Sequence, residues 1–201
     1  MTLSDSSSEV SSMGVTTRVA VAALAIPAAR HLRESVADAP EMRTEISTPA
    51  TSDPMSFALS PDGKQIVFVA SGDGPSRLWL RSLTATSAQP LAGTEGAQYP
   101  FWSPDSRSVG FFADQKLKRL DLGGGAPQVL SAAAPRGGTW NAAGAILFAV
   151  SNGNPLSRVS ASGGAVVAAT KLDRQSSHRF PAFLPDGQHF LFYAPGTPDR
   201  A

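Results

Sequence analysis

"FALSPDGKQIVF" (57–68) decides how this chain is read, because close variants of it return three times. "FWSPDSRSVGFF" begins at Phe101, "TWNAAGAILF" at Thr139 and "AFLPDGQHFLF" at Ala182. Aligning Ser60-Pro61-Asp62-Gly63 with Ser103-Pro104-Asp105-Ser106, Asn141-Ala142-Ala143-Gly144 and Leu184-Pro185-Asp186-Gly187 gives intervals of 43, 38 and 43 residues. A large apolar side chain precedes each tetrapeptide: Leu59, Trp102, Trp140 and Phe183. A short β-prone segment follows each and ends in Phe68, Phe111, Phe148 or Phe192. Similarity at a fixed period of about 40 residues marks a repeat architecture.

A second pattern recurs between the tetrapeptides. "SRLWLRSLT" (76–84), "QKLKRLDLGGG" (115–125) and "NPLSRVSASGG" (154–164) alternate apolar with polar positions, the period of a half-buried strand. Leu78, Leu80, Leu117, Leu120, Leu156 and Val159 are the expected inward positions. A further strand is predicted near 90–91, 128–130 and 165–169. With the strand leading into each tetrapeptide, every unit holds four short strands, the size of one propeller blade. The predicted fold is all-β: a partial β-propeller of about three and a half four-stranded blades over 55–201. Such an arc cannot close a ring, so the chain reads as a fragment, a truncated frame or one part of an assembly.

The recurring acid could be a ligand or a turn residue. Ser at i, Pro at i+1, Asp at i+2 and Gly at i+3 fit a type I turn, in which Pro presets φ and Gly accepts the conformation that leaves it. Ser60, Pro61, Asp62, Gly63, Ser103, Pro104, Asp105, Pro185, Asp186 and Gly187 are therefore assigned to structural turns. Ala143 stands where the third Asp would be, which favours architecture over ligation.

Lys plus Arg is 17 against 16 for Asp plus Glu, so no bulk charge draws in nucleic acid. Cysteine is absent, which removes disulfides and thiolate chemistry. Residues 1–18 are Ser- and Thr-rich, poor in apolar side chains, and read as a disordered tail. Residues 19–35 read as a short apolar helix. Its uncharged run, 19–29, is shorter than the roughly 20 residues a membrane span wants, yet fits a signal-like core. A membrane tether or its remnant, a signal-like segment and a soluble Ala-rich helix all stay open. Pro40, Pro49 and Pro54 make 36–54 an extended linker.

Catalytic signatures are not found. There is no Gly-x-Ser-x-Gly elbow, no His pair and no Asp-rich loop of metal spacing, so no metal, cofactor or catalytic residue is expected. "SGDGPS" (71–76) and "LGGGAP" (122–127) precede strand-like sequence rather than helices, and read as turns instead of phosphate cradles. His189 is placed on a strand face, and Lys116 and Lys118 on one exposed face. Function in a repeat scaffold sits on loops held by rigid elements. The segments leading into each first strand (93–101, 134–140 and 174–183) offer Tyr99, Arg136, His178 and Arg179 as candidate binding residues.

These repeats resemble TolB-type, WD-like β-propellers over roughly 56–194. More narrowly, 51–83 and 93–122 resemble the C-terminal propellers of bacterial transmembrane serine/threonine protein kinases. The resemblance implies an extracytoplasmic, non-catalytic module in the cell envelope that binds a protein, peptide or envelope component. The kinase Gly-rich loop, His-Arg-Asp and Asp-Phe-Gly motifs are all missing here. A propeller piece of a prolyl-oligopeptidase-type peptidase and a TolB-like periplasmic scaffold are the alternatives. Unpaired blade edges would promote self-association.

Overall fold

The structure, a computed structural model, describes residues 45–196. The tail, the apolar helix with its 19–29 run, and residues 36–44 of the linker lie outside the described residues. So do residues 197–201. Residues 46–54 have no regular secondary structure and lie beside the first sheet, where Ser71 N donates to Ala50 O at 2.8 Å.

Three four-stranded antiparallel sheets and one hairpin follow in chain order. The first is β1 (Phe57–Leu59), β2 (Gln65–Ala70), β3 (Arg77–Ser82) and β4 (Gln89–Pro90). The second is β5 (Gln98–Trp102), β6 (Ser108–Ala113), β7 (Lys116–Asp121) and β8 (Gln128–Ala132). The third is β9 (Gly138–Trp140), β10 (Ala145–Ala149), β11 (Leu156–Ser160) and β12 (Val167–Ala168). β13 (Arg179–Phe183) and β14 (Phe190–Tyr193) form the hairpin. Each sheet is a meander, and β1, β5, β9 and β13 contact one another in succession. Each first strand is thus the inner strand of a blade. The all-β, partial-propeller expectation holds: three full blades and the opening hairpin of a fourth.

Local chemistry explains the connections. Asp114 and Gln115 both have positive φ (53° and 57°) and join β6 to β7 with the left-handed pair that a tight hairpin needs. The Gly-rich segments 71–76 and 122–127 connect β2 to β3 and β7 to β8, as turns.

The expected inward positions Leu78, Leu117, Leu120, Leu156 and Val159 are buried, and Leu80 is partly buried. All six residues of β6 are buried, because the second blade has a blade on each side. Phe111 packs with Val67, Val69, Leu78 and Trp102, whereas Phe112 packs with Phe101, Leu117, Ile146 and Phe148. Leu117 and Leu120, both expected inward, belong to these two different clusters. A spacing of three residues puts strand side chains on opposite faces, and here both faces are core.

Of the two lysines expected to be exposed, one is not. Lys116 is exposed, but the Lys118 side chain is largely covered and its Nζ lies 2.7 Å from Asp114 Oδ2. Arg119 crosses to the third blade, where Nη1 donates to Ala161 O at 3.1 Å and the guanidinium lies 5.5 Å from the Trp140 ring centroid. Instead of one solvated face, these side chains form an ion pair and a strut between blades.

Candidate functional site

The recurring acids sit among the turns that join the first two strands of each blade. In all four, residue i+3 donates its N–H to the carbonyl of residue i: Gly63 to Ser60, Ser106 to Ser103, Gly144 to Asn141 and Gly187 to Leu184, at 2.8–3.0 Å. Residue i+3 has a φ of 59–79° in every case, the left-handed position that closes this turn. Asp62 Oδ1 accepts the Ser60 hydroxyl at 2.6 Å and Lys64 N at 3.1 Å. Asp105 Oδ1 repeats both bonds with Ser103 and Arg107. Asp186 Oδ1 accepts Gln188 N and His189 N, and its Oδ2 lies 2.6 Å from His189 Nδ1. These bonds hold all three carboxyls below the ordinary range, Asp186 at about 2. His189 precedes β14 and belongs to the turn, a correction to its expected strand position.

The third turn is one residue shorter. Asn141 N bonds Ala145 O, whereas Ser60 N bonds Gln65 O and Ser103 N bonds Ser108 O. The residue whose N–H the Asp would accept does not exist there, so Ala143 leaves nothing unpaired. Asn141 supplies the acceptor instead, taking Ala145 N on Oδ1 at 2.8 Å. Neighbouring turns are also joined, Asp62 N to Ser106 Oγ at 3.2 Å and Asn141 Nδ2 to Gly187 O at 2.8 Å. A cavity of about 380 Å³ lies between the second and third turns, lined by Ser103, Pro104, Trp140 and Asn141. The first turn is thus tied to the second and the third to the fourth, with the cavity between the two pairs.

The lead-in residues occupy the other end of the inner strands. Counting back five residues from each turn places Met55, Gln98, Arg136 and Arg179 at equivalent positions. One residue on, Tyr99 and Phe180 have φ of 45° and 52°, and Gly137 has 75°. Such a φ strains a bulky residue and bulges the strand, and the ladders shift register at both aromatic positions. Bonds to the preceding blade hold the bulges: Tyr99 N to Ser56 Oγ and Phe180 N to Arg136 O, both at 2.7 Å. The Tyr99 and Phe180 rings meet edge to face, 5.8 Å between centroids. The Tyr-Pro and Phe-Pro pairs therefore mark two bulges of one design.

Arg136 and Arg179 stand beside these bulges. Each has a buried Nε with no hydrogen-bond partner, as does the Ser177 hydroxyl. The Arg179 guanidinium lies 5.6 Å from the centroid of the Tyr193 ring, which is 57% exposed. His178 sits differently: it is buried, with Nδ1 2.8 Å from Thr170 Oγ1 and its ring 4.4 Å from that of Phe192. Burial lowers its pKa. Of the four candidates, Tyr99, Arg136 and Arg179 gather at the rim, and His178 packs behind it. Ser177, Phe180 and Tyr193 join them. Only tertiary packing shows that Ser177 is both buried and unpaired.

No family model and no curated protein matches the chain. Solved structures do. A TolB structure from Agrobacterium tumefaciens superposes with a TM-score of 0.61 at 21% identity, over 70% of this chain and 54% of that one. The chain has a TolB-like β-propeller fold. TolB from Acinetobacter baumannii matches with a TM-score of 0.51 at 25% identity, over 67% of this chain and 36% of that one. A puromycin hydrolase gives 0.53 at 23%, covering 69% of this chain and 24% of that one. The chain thus spans about half or less of the TolB structures it matches. Its TolB-like blades present a turn rim and a lead-in rim at opposite ends of the inner strands.

Proposed function

We propose that this chain is a non-catalytic propeller module that binds a protein or peptide on its lead-in rim. We further infer that it is the extracytoplasmic part of an envelope protein, a membrane-tethered serine/threonine protein kinase. The observation that carries the binding reading is the rim itself. Tyr99 and Phe180 are held in strained bulges by bonds from the preceding blade, beside two guanidiniums whose Nε atoms are unpaired. Strain of this kind, of order 1–3 kcal/mol per residue, persists where the surroundings over-determine it and clusters at ligand clamps. Rigid aromatics next to Arg are the side chains that dominate protein interfaces.

The binding test is fluorescence anisotropy with a panel of labelled peptides against the wild-type chain and Tyr99→Ala. Saturable binding that weakens in the variant supports the reading; no binding across the panel overturns it. The kinase assignment is tested in the gene. A kinase domain in frame upstream supports it, and a Gly-x-Ser-x-Gly hydrolase domain in frame downstream replaces it with the peptidase alternative.

A further inference from the structure

We propose that Arg136, Arg179 and Ser177 form a carboxylate-binding subsite, which takes the C-terminal carboxylate of a bound peptide; this rests on the peptide-binding reading above. Three buried side-chain N/O atoms lack a hydrogen-bond partner among the described residues: Arg136 Nε, Arg179 Nε and Ser177 Oγ. All three belong to the lead-in segments 134–140 and 174–183. Arg136 and Arg179 hold equivalent positions on successive blades, and Phe180 N donates to Arg136 O at 2.7 Å, so their backbones are adjacent. Ser177 lies two residues before Arg179, in the segment that enters β13.

Buried donors without acceptors are costly and uncommon in folded proteins. Three on adjoining lead-in segments, two of them on cations, call for an acceptor that is not part of the chain. Neither guanidinium carries an ion pair among the described residues. The free atom on each Arg is Nε, which together with a terminal N–H forms the side-on fork that grips a carboxylate with two parallel bonds. Phe180 is 44% exposed and Tyr193 57%, so apolar ring surface lies beside the fork. A carboxylate at the end of a peptide, with its last side chain against these rings, uses both features.

Arginine Nε–H resonances in ¹H–¹⁵N spectra of the full chain report the subsite directly. The probes are acetate, inorganic phosphate, and an N-acetylated tetrapeptide with either a free or an amidated C-terminus. Arg136→Lys and Arg179→Lys assign the two resonances while keeping the charge and removing the fork. Their backbone spectra show whether they remain folded. The expected result is saturable movement of these two Nε–H signals with acetate and with the free acid. The amide and each Lys variant should bind about tenfold more weakly or worse. Tighter binding of phosphate than of acetate overturns the carboxylate assignment, as does equal movement of every Arg signal. If free acid and amide bind alike without moving the two signals, the subsite falls while peptide binding stands. If acetate moves them but no peptide binds, the subsite stands and the peptide reading falls.

Discussion

Asn141 Oδ1 accepts the backbone N–H of Ala145 at 2.8 Å, while its Nδ2 donates to Gly187 O at the same distance. One side chain thus closes the third turn and ties it to the fourth. Asn141→Ala should cost about 1–3 kcal/mol, because it removes both bonds and leaves partly buried partners to find water. Asp62→Ala, on an exposed turn, should cost less. Urea unfolding of the two variants compares them, and equal losses would show that the inter-blade bond contributes nothing.

The Asp186 carboxyl accepts Gln188 N and His189 N and lies against His189 Nδ1, so its folded pKa is about 2, below the ordinary 3.8. A lowered carboxyl pKa adds stability above the unfolded value, and that stability is lost as pH falls from about 4 towards 2. His178 is displaced downward by burial, so it too favours the folded state above its unfolded pKa. Stability should begin to fall as pH drops below about 6.5 and His178 is driven to protonate. Thermal unfolding against pH checks both. Asp186→Asn should flatten the lower step and His178→Gln the upper one. A single step that neither variant moves would contradict the assignment.

The blade repeat was legible in sequence because it rests on local chemistry: a Pro at i+1, an acid at i+2, a left-handed residue at i+3. The inward leucines of β7 were legible, but not the blade each one faces: Leu117 and Leu120 pack in different clusters, on opposite faces of the strand. The role of Asn141 was hidden, since it depends on one missing residue in the loop and on a carbonyl 46 positions away. The bulges at Tyr99 and Phe180 left a trace in the matched Tyr-Pro and Phe-Pro pairs. Nothing local marks Ser177 as buried.

The Phe101 ring lies against Gly110, its partner across the ladder, and against Gly138 of the third blade; a Cβ on either glycine would collide with it. Gly110→Ala should therefore destabilise by about 1–3 kcal/mol through overpacking. Phe101→Ala should cost about 3–5 kcal/mol through the cavity it leaves. Combining the two should cost less than their sum, since the smaller side chain makes room for the new methyl. Chemical unfolding of the single and double variants measures this, and strict additivity would count against the contact.

Leu191, Phe192 and Tyr193 leave the face and edge of β14 exposed at 63%, 38% and 57%. Exposed apolar edges recruit other strands. The chain is expected to self-associate, and Leu191→Lys should shift it towards monomer in size-exclusion chromatography with light scattering. A wild-type chain that stays monomeric at high concentration would contradict this.

The repeated acids build turns, and the proposed recognition belongs to the opposite rim. Calorimetric titration with a free-acid peptide tests it most directly, comparing wild type, the triple variant Asp62→Asn, Asp105→Asn, Asp186→Asn, and the double variant Arg136→Lys, Arg179→Lys, each shown to be folded. The triple variant should bind within about twofold of wild type and the double variant at least about tenfold more weakly. Binding lost in the triple variant and kept in the double would contradict it.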